Sequence, residues 1–435
     1  MTLRTKRRNG EGGGLPFSHS PFRLPKVPRF SVSFLILATF LLFASCLASC
    51  SPTYVLRAGY EEAKILWNRR PIAEVLNRPD VDAATREKLE LVLQVRRFVE
   101  QDLAFNVGGS YSTITELDKP PVVYVVTAAP RTKLEPYTWW FPIIGQVAYK
   151  GYFDQTEAQR EAQRLEQQGY DTYVRPAMAF STLGWFSDPL LPHLLRYDRE
   201  TLANIIIHEL FHSTFYVKGQ SAFNESLANF AGHRGTVAFF SKDSGPDAAI
   251  TRQAQATWEN ELTVAQFLAT GVERLKDLYA SEISEEEKLR QREELFAQLQ
   301  QEFRSLPGPV RQNTDFATVR LNNAVVLQYL IYLQELALFE RIYQQNGRDL
   351  RATLTQITEG AKKDSDPFAG VRSLVTVASG TETRPQNIRA VYGVMAQECH
   401  SEPSEESLEE TLRGVYPEPG RRVQGDITDL RFSCG

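Results

Sequence analysis

The stretch ANIIIHELFHSTFYVKGQSAFNESLANFAG, residues 203–232, carries the strongest structural signal in the chain. His208 and His212 are four residues apart, so on a helix both imidazoles project from one face toward a single metal ion. Glu209 lies beside that ion, where it is placed to take a proton from a water that the metal activates. Glu225, after a loop with turn residues, supplies the third ligand. Three protein ligands leave one position open, which is typical of a catalytic zinc.

The alternative interpretation of this stretch is a helix that carries polar residues by chance. The preceding segment LANIII gives the helix an apolar face that can be buried, and Asp198 is expected to cap its start. Three of the six histidines fall between residues 208 and 233, and residues 223–240 are expected to form a second helix. The sequence therefore favours a zinc site.

Four further side chains are candidates for this site. Asn229 lies one turn after the third ligand, where it can hydrogen-bond a zinc-bound histidine or simply face solvent. His233, Tyr329 and Tyr332 are candidates for stabilising a transition-state oxyanion, with a helix cap for the histidine and core packing for the tyrosines as the alternatives. His193 is expected in a surface loop.

The composition indicates a folded protein that does not bind nucleic acid. The 435 residues are 42% hydrophobic and 11% aromatic, which is enough for a substantial core in one large or two closely associated domains. The first 49 residues hold seven Lys and Arg and one acidic residue, which leaves 42 basic against 52 acidic residues, a net charge of −10. A chain so charged, without a basic stripe, is a poor candidate for nucleic-acid binding.

The N-terminus has the layout of an export signal. Seven basic residues precede the apolar run FLILATFLLFAS, residues 34–45, which is too short to span a bilayer comfortably. The segment LASC, residues 47–50, resembles the bacterial lipobox, which implies lipidation of Cys50. Cys46 in FASC offers a second possible cleavage position. An uncleaved membrane anchor is the alternative interpretation of this segment. Either form places the body of the protein outside the cytoplasm, at the bacterial cell envelope.

Several blocks of the sequence resemble the bacterial putative aminopeptidase family, over about residues 54–360. They are YVLRAGYEEAKILWNRRPI, TWWFPIIGQVAYKGYFD, AFSTLGWFSDPLL, IIIHELFHSTFYVKGQSAFNESLANF and LNNAVV. The resemblance implies a zincin-like zinc peptidase, often a lipoprotein, with His208, Glu209, His212 and Glu225 at the positions of its gluzincin-like motif. The interval to Glu225 is shorter than is usual in gluzincins, and no Gly-x-Met-x-Asn segment occurs, so aminopeptidase specificity rests on the resemblance alone.

The pattern along the chain predicts an α+β fold that is predominantly helical, with a small mixed sheet beside the histidine helix. Amphipathic spacing predicts two helices before residue 105, strand-like runs follow, and the chain beyond residue 245 reads as helical, with Ser284 and Glu287 as a capping box. Cys399 and Cys434 are a candidate disulfide in the tail. We expect a signal peptide with lipobox (1–50), an N-terminal helical scaffold (51–120), a zincin-like catalytic core (121–245), a helical C-terminal part of the catalytic unit (246–396) and a loose acidic tail (397–435).

The expected function is that of a zinc-dependent peptidase of the cell envelope that hydrolyses peptide bonds. In zincins a strand beside the metal helix aligns the peptide, and AFSTLGWF, residues 179–186, is the candidate strand, with Trp185 and Phe186 as pocket or core residues. Two alternatives stay open: a metal-dependent hydrolase of a non-peptide amide, and a zinc-stabilised lipoprotein scaffold without catalysis. Glu209 counts against the scaffold, because a structural site has no use for a carboxylate beside the water.

If LASC is a lipobox, the mature chain begins at Cys50 and carries lipid there. Mass spectrometry of the membrane-extracted protein is expected to show lipid on residues 50–435, whereas Cys50→Ser should leave the signal uncleaved. The matched control Cys46→Ser should be processed like the wild type. An unmodified or uncleaved N-terminus in the wild type would contradict this prediction.

Overall fold

The computed structural model describes residues 59–60, 63–116, 123–141, 145–177, 187–311 and 315–375. The chain divides into two units, Met1–Leu56 and Arg57–Gly435, and the described residues lie in the second. Among the helices of these ranges, none is both long enough and apolar enough to cross a membrane. The segment boundaries given above stay predictions. Other sequence-based predictions lie outside the described residues, namely those for residues 1–50, Cys46, Cys50, residues 179–186, Trp185, Phe186, Cys399, Cys434 and the tail.

The described part of the chain is mostly helical, as the sequence predicts. Asp198 caps the histidine helix by accepting from the Thr201 N–H, which confirms the predicted cap. Ser284 caps a later helix by accepting from the Glu287 N–H, which confirms the Ser284 half of the predicted capping box. The helices are α1 Ile72–Leu76, α2 Ala83–Gln101, α3 Gln155–Gln167, α4 Arg199–His212, α5 Ser221–Ser244, α6 Ala249–Ala280, α7 Glu285–Arg304, α8 Gly308–Arg311, α9 Asn323–Leu333, α10 Leu336–Gln345, α11 Leu350–Ala361 and α12 Pro367–Arg372, with a 3₁₀ turn at Pro192–Arg196.

The described strands form small antiparallel sheets, which agrees with the α+β class that the sequence predicts. A parallel bridge also joins Ile114 to Leu190. β3 lies between β6 and β7 and pairs antiparallel with both, while β1 pairs with β2 and β4 with β5. α3 does connect two strands that run parallel to each other, but β3 separates them, so they never pair. The strands are β1 Arg69–Pro71, β2 Thr113–Thr115, β3 Tyr124–Pro130, β4 Trp139–Phe141, β5 Gly145–Val147, β6 Tyr149–Tyr152 and β7 Tyr170–Pro176.

The three-stranded sheet has helices on both faces. The inner residues of β3 are all buried, because β3 packs against both α3 and α9. Asp171 and Arg175 of β7 share one face, since alternate residues of a strand point the same way. Asp171 binds the Arg292 side chain of α7 and the Asn323 N–H of α9. Arg175 therefore lies on the face that α9 covers.

The pair of α4 and α5 forms the centre of the helical part. Residues 202–212 of α4 are all buried, so this helix is enclosed on every side and not only along one stripe. Glycines of α5 allow the close approach: a Cβ at Gly232 would lie 2.6 Å from Asn204 Oδ1, and one at Gly235 would lie 2.9 Å from Ile207 Cγ2. Side chains there would displace the helix that carries the two histidines.

Glu200, in the first turn of α4, makes stability depend on pH. It is 5% exposed, and burial, together with the charge of Asp198, raises its pKa from an ordinary 4.5 to about 7. The folded protein then keeps a proton that the unfolded chain releases, so stability is lost as the pH rises from about 4.5 through about 7. Glu200→Gln is expected to exceed the wild type by up to about 3 kcal/mol above pH 7 and by little at pH 4.

Urea unfolding of both proteins over this pH range measures the effect. Glu285→Gln is the matched control, because Glu285 also lies in the first turn of a helix but is exposed. Parallel stability profiles for the wild type and Glu200→Gln would contradict the prediction.

Candidate metal centre

His208 and His212 of α4 and Glu225 of α5 bring three ligand atoms together. The two imidazole Nε2 atoms are 3.1 Å apart, and Glu225 Oε2 lies 3.2 Å from Nε2 of His208 and 3.4 Å from Nε2 of His212. Gly219, with a φ of +76°, turns the chain in the loop between the two helices. Within the described ranges, these three buried residues are the one group of His, Cys, Asp and Glu side chains that could hold a metal ion.

The size of this triangle is compatible with a tetrahedral ion such as Zn²⁺. Ligands bound at 2.0–2.1 Å from a tetrahedral zinc lie about 3.3–3.4 Å from one another, close to the separations found here. Two imidazoles and one carboxylate are also a donor set that zinc accepts. The residues present therefore fit the ion that the sequence predicts.

Burial and the neighbouring charges shift the pKa values of all three ligand side chains. Burial by itself would raise the pKa of Glu225, but the charge of His212 and hydrogen bonds with both histidines hold it well below its usual range. Burial would lower the pKa of His212, yet the Glu225 carboxylate outweighs burial and raises it. The pKa of His208 is lowered, chiefly by burial. Since a metal ion takes the place of a shared proton, binding should release protons.

Glu209 follows the first histidine but is not part of the ligand triangle. It is buried, and burial raises its pKa to about 7; the charge of His212 opposes this shift, whereas the carboxylates of Glu225 and Asp188 add to it. A carboxylate with a pKa near neutral suits the exchange of a proton in both directions.

Asn229 lies one turn after the third ligand and connects three elements. Its Nδ2 donates to Glu261 Oε1 of α6 at 3.3 Å and to the Tyr332 carbonyl oxygen at 3.2 Å. Asn229 is buried, so the alternative of a solvated position is wrong. Its Oδ1 and the Nδ1 atoms of His208 and His212 are buried without a hydrogen-bond partner among the described residues. A hydrogen bond from Asn229 to a metal-bound histidine stays a prediction.

His233 lies in the packed interior between helices. α5 continues well beyond it, so the alternative of a helix-end cap is wrong. Its Nδ1 lies 3.0 Å from Asn204 Nδ2, and its ring is 5.4 Å from the ring of Trp258. Burial, with the charges of His208 and Arg234, lowers its pKa to about 3, so its imidazole is neutral. Its part in oxyanion stabilisation stays a prediction.

Of the two tyrosine candidates, Tyr332 lies near the cluster, whereas Tyr329 lies in the hydrophobic core. The Tyr332 ring lies 6.3 Å from the His208 ring. The Tyr329 hydroxyl donates to Asp315, and the residue is buried in the core. His193 is partly buried in the 3₁₀ turn and not in a surface loop.

Three side chains around the cluster were not predicted from the sequence, namely those of Tyr149, Tyr216 and Arg175. Burial raises the pKa of Tyr149 well above its usual range, and the Glu225 charge adds to the shift. Burial and Glu225 also raise the pKa of Tyr216. Arg175 Nη2 lies 3.5 Å from the Tyr332 hydroxyl. The alternation of QVAYKGYF and DTYVRP indicates two faces for each strand, but no local signal tells which face meets the metal helices.

The fold and the site together define a predominantly helical α+β protein with a buried His-His-Glu cluster that could bind a metal ion. The model of the family described as Putative aminopeptidase matches residues 53–366. The chain belongs to this family, which confirms the resemblance seen in the sequence and supports a peptidase-like function with a peptide substrate. The searches of curated proteins and of solved structures returned no match.

We expect the purified protein to bind one Zn²⁺ per chain, because the three ligand atoms already lie at zinc-compatible separations. His208→Ala and His212→Ala should each lose bound zinc in elemental analysis, since two remaining ligands hold the ion poorly. His193→Ala, outside the cluster, is the control and should keep it. The absence of stoichiometric metal in wild type expressed with added zinc would refute the prediction.

Proposed function

We propose that this protein is a zinc-dependent peptidase of the bacterial cell envelope, with the aminopeptidase activity that its family description names. The observation that carries the proposal is the buried triangle of His208, His212 and Glu225 with Glu209 beside it. Family membership supports the reaction class, hydrolysis of a peptide bond.

The ligand residues and Glu209 have separate roles in the proposed reaction. His208, His212 and Glu225 would hold the metal, which when bound supplies Lewis-acid activation of water and of the scissile carbonyl. The Glu209 carboxylate accepts a proton from the attacking water and returns it to the leaving amine. Burial keeps this carboxylate away from bulk solvent, so its proton goes to the substrate.

The number of ligands supports a catalytic centre and not a structural one. Structural zinc sites take four protein ligands, whereas the cluster in the described part of the chain has three. A carboxylate that stays outside the ligand set has a use in hydrolysis and none in a purely structural site. This comparison favours the peptidase over the zinc-stabilised scaffold.

The proposal also assigns the protein a place outside the cytoplasm, held to the membrane by lipid on Cys50. Its support is the order of the N-terminal sequence, in which basic residues precede a short apolar run and then LASC.

The two kinds of glutamate give the decisive test. Glu225→Ala should lose zinc, because it removes a ligand and its charge. Glu209→Gln keeps the size and polarity of the side chain but cannot accept a proton, so zinc should stay while peptide hydrolysis falls by roughly 10²-fold or more. Bound zinc and turnover on the best substrate of a peptide library are measured for both variants.

Glu259→Gln is the matched control, because Glu259 is an exposed glutamate of α6 outside the cluster. It should keep both zinc and turnover. Wild-type turnover in Glu209→Gln, or no cleavage of any library peptide by the zinc-loaded wild type, would overturn the proposed function.

A further inference from the structure

Three arginines in the described part of the chain are more than nine-tenths buried, and one of them differs from the others. Arg234 is paired with Glu340, and Arg292 is paired with Asp171. Arg175 has no carboxylate within 4.0 Å among the described residues, although its exposure is only 9%. A buried guanidinium without a counter-charge costs free energy, and proteins therefore rarely keep one.

The contacts of Arg175 are all with neutral groups. Gln328, with its amide oxygen turned toward the guanidinium, accepts from Arg175 Nη2 at 2.8 Å and from Nε at 3.2 Å. The Pro176 carbonyl oxygen lies 3.4 Å from Nη1, and the Tyr332 hydroxyl lies 3.5 Å from Nη2. These groups orient the guanidinium, but they leave its positive charge uncompensated.

One carboxylate near this side of the sheet, that of Asp315, is already engaged in a hydrogen bond. The charges of Asp315 and Arg175 both act on Tyr173, which shares the sheet face of Arg175. The Asp315 carboxylate accepts a hydrogen bond from the Tyr329 hydroxyl and forms no ion pair with Arg175. Among the described residues, no carboxylate therefore forms an ion pair with Arg175, so its charge is available to a bound ligand.

A single tyrosine connects this guanidinium to the metal centre. The ring of Tyr332 lies 6.3 Å from the ring of His208, and its hydroxyl reaches Arg175. Its carbonyl oxygen accepts from Asn229, one turn after Glu225. An extended peptide advances about 3.3–3.6 Å per residue, so a group one to three residues from a scissile bond at the metal can reach Arg175.

We propose that Arg175 binds a carboxylate of the substrate, so that the protein selects short peptides bearing a carboxylate close to the scissile bond. The inference rests on the proposed function for the position of that bond. The planar guanidinium matches a carboxylate in two parallel hydrogen bonds, which gives both attraction and orientation. The carboxylate comes either from the C-terminus of a short peptide or from an Asp or Glu side chain, and these two sources share the same chemistry.

The test compares matched peptides on the full-length protein loaded with zinc. The peptides share one sequence and end either in a free carboxylate or in an amide, and a third peptide is the amide with one Gln replaced by Glu. Binding is measured by calorimetry on Glu209→Gln, in which cleavage is expected to be slower by roughly 10²-fold or more, and kcat/KM is measured on the wild type. A gain of roughly 10- to 100-fold for the free acid identifies the C-terminus, and the same gain for the Glu peptide identifies a side chain.

Arg175→Gln should abolish this gain while leaving the amide peptide bound as before. Arg175→Lys keeps the charge but not the paired hydrogen bonds, so it should recover part of the gain. Arg164→Gln, on the helix that packs against the sheet from the other side, is the control and should keep all of it. If Arg175→Gln does not fold, the peptide comparison on the wild-type site and Arg175→Lys still decide the question.

The outcomes separate this inference from the proposed function. Equal binding and turnover of all three peptides by the wild-type site, or an unchanged gain in folded Arg175→Gln, would overturn the inference even if hydrolysis proceeds. If nothing is cleaved but binding still follows the carboxylate and is lost in Arg175→Gln, the proposed hydrolysis fails and the carboxylate site stands.

Discussion

The arrangement of the helices is constrained by three buried ligand atoms that lie within 3.4 Å of one another. They are the Nε2 atoms of His208 and His212 and Oε2 of Glu225. Polar groups packed together away from water are costly unless a proton or a cation is shared among them. The helices α4 and α5 keep the groups together, because Gly232 and Gly235 let their backbones approach closely. The packing that forms the core therefore also sets the separation of the ligand atoms.

The surroundings of the cluster hold α5 against other elements. Arg234 on α5 is paired with Glu340 on α10, and the Trp258 indole of α6 donates to the same carboxylate at 3.0 Å. Asn229 bonds to α6 and to the Tyr332 carbonyl. These contacts fix α5 around the third ligand, so the orientation of Glu225 depends on residues distant in the sequence.

The face of the three-stranded sheet that α9 covers carries both an ion pair that stabilises the fold and the arginine that we assign to substrate binding. At one end Asp171 and Arg292 neutralise each other and tie β7 to α7. Toward the other end, Arg175 has only neutral partners, and Tyr332 lies between it and the metal helices. The same strand thus combines an ion pair with an arginine that has no carboxylate within 4.0 Å among the described residues, and Tyr332 connects that arginine to the candidate centre.

The sequence by itself determined the features that depend on neighbours along the chain. The four-residue spacing of His208 and His212, the cap at Asp198 and the helix that carries Glu225 are local, because one helical turn or one hydrogen bond to the next turn defines them. Strand-like runs in the sequence also predicted β3, β6 and β7, but not their order, since β3 lies between β6 and β7 through pairings that no local pattern encodes. Only the tertiary structure decided that Tyr149 and Arg175 approach the cluster, because alternation gives a strand two faces and long-range packing chooses which one meets the metal helices.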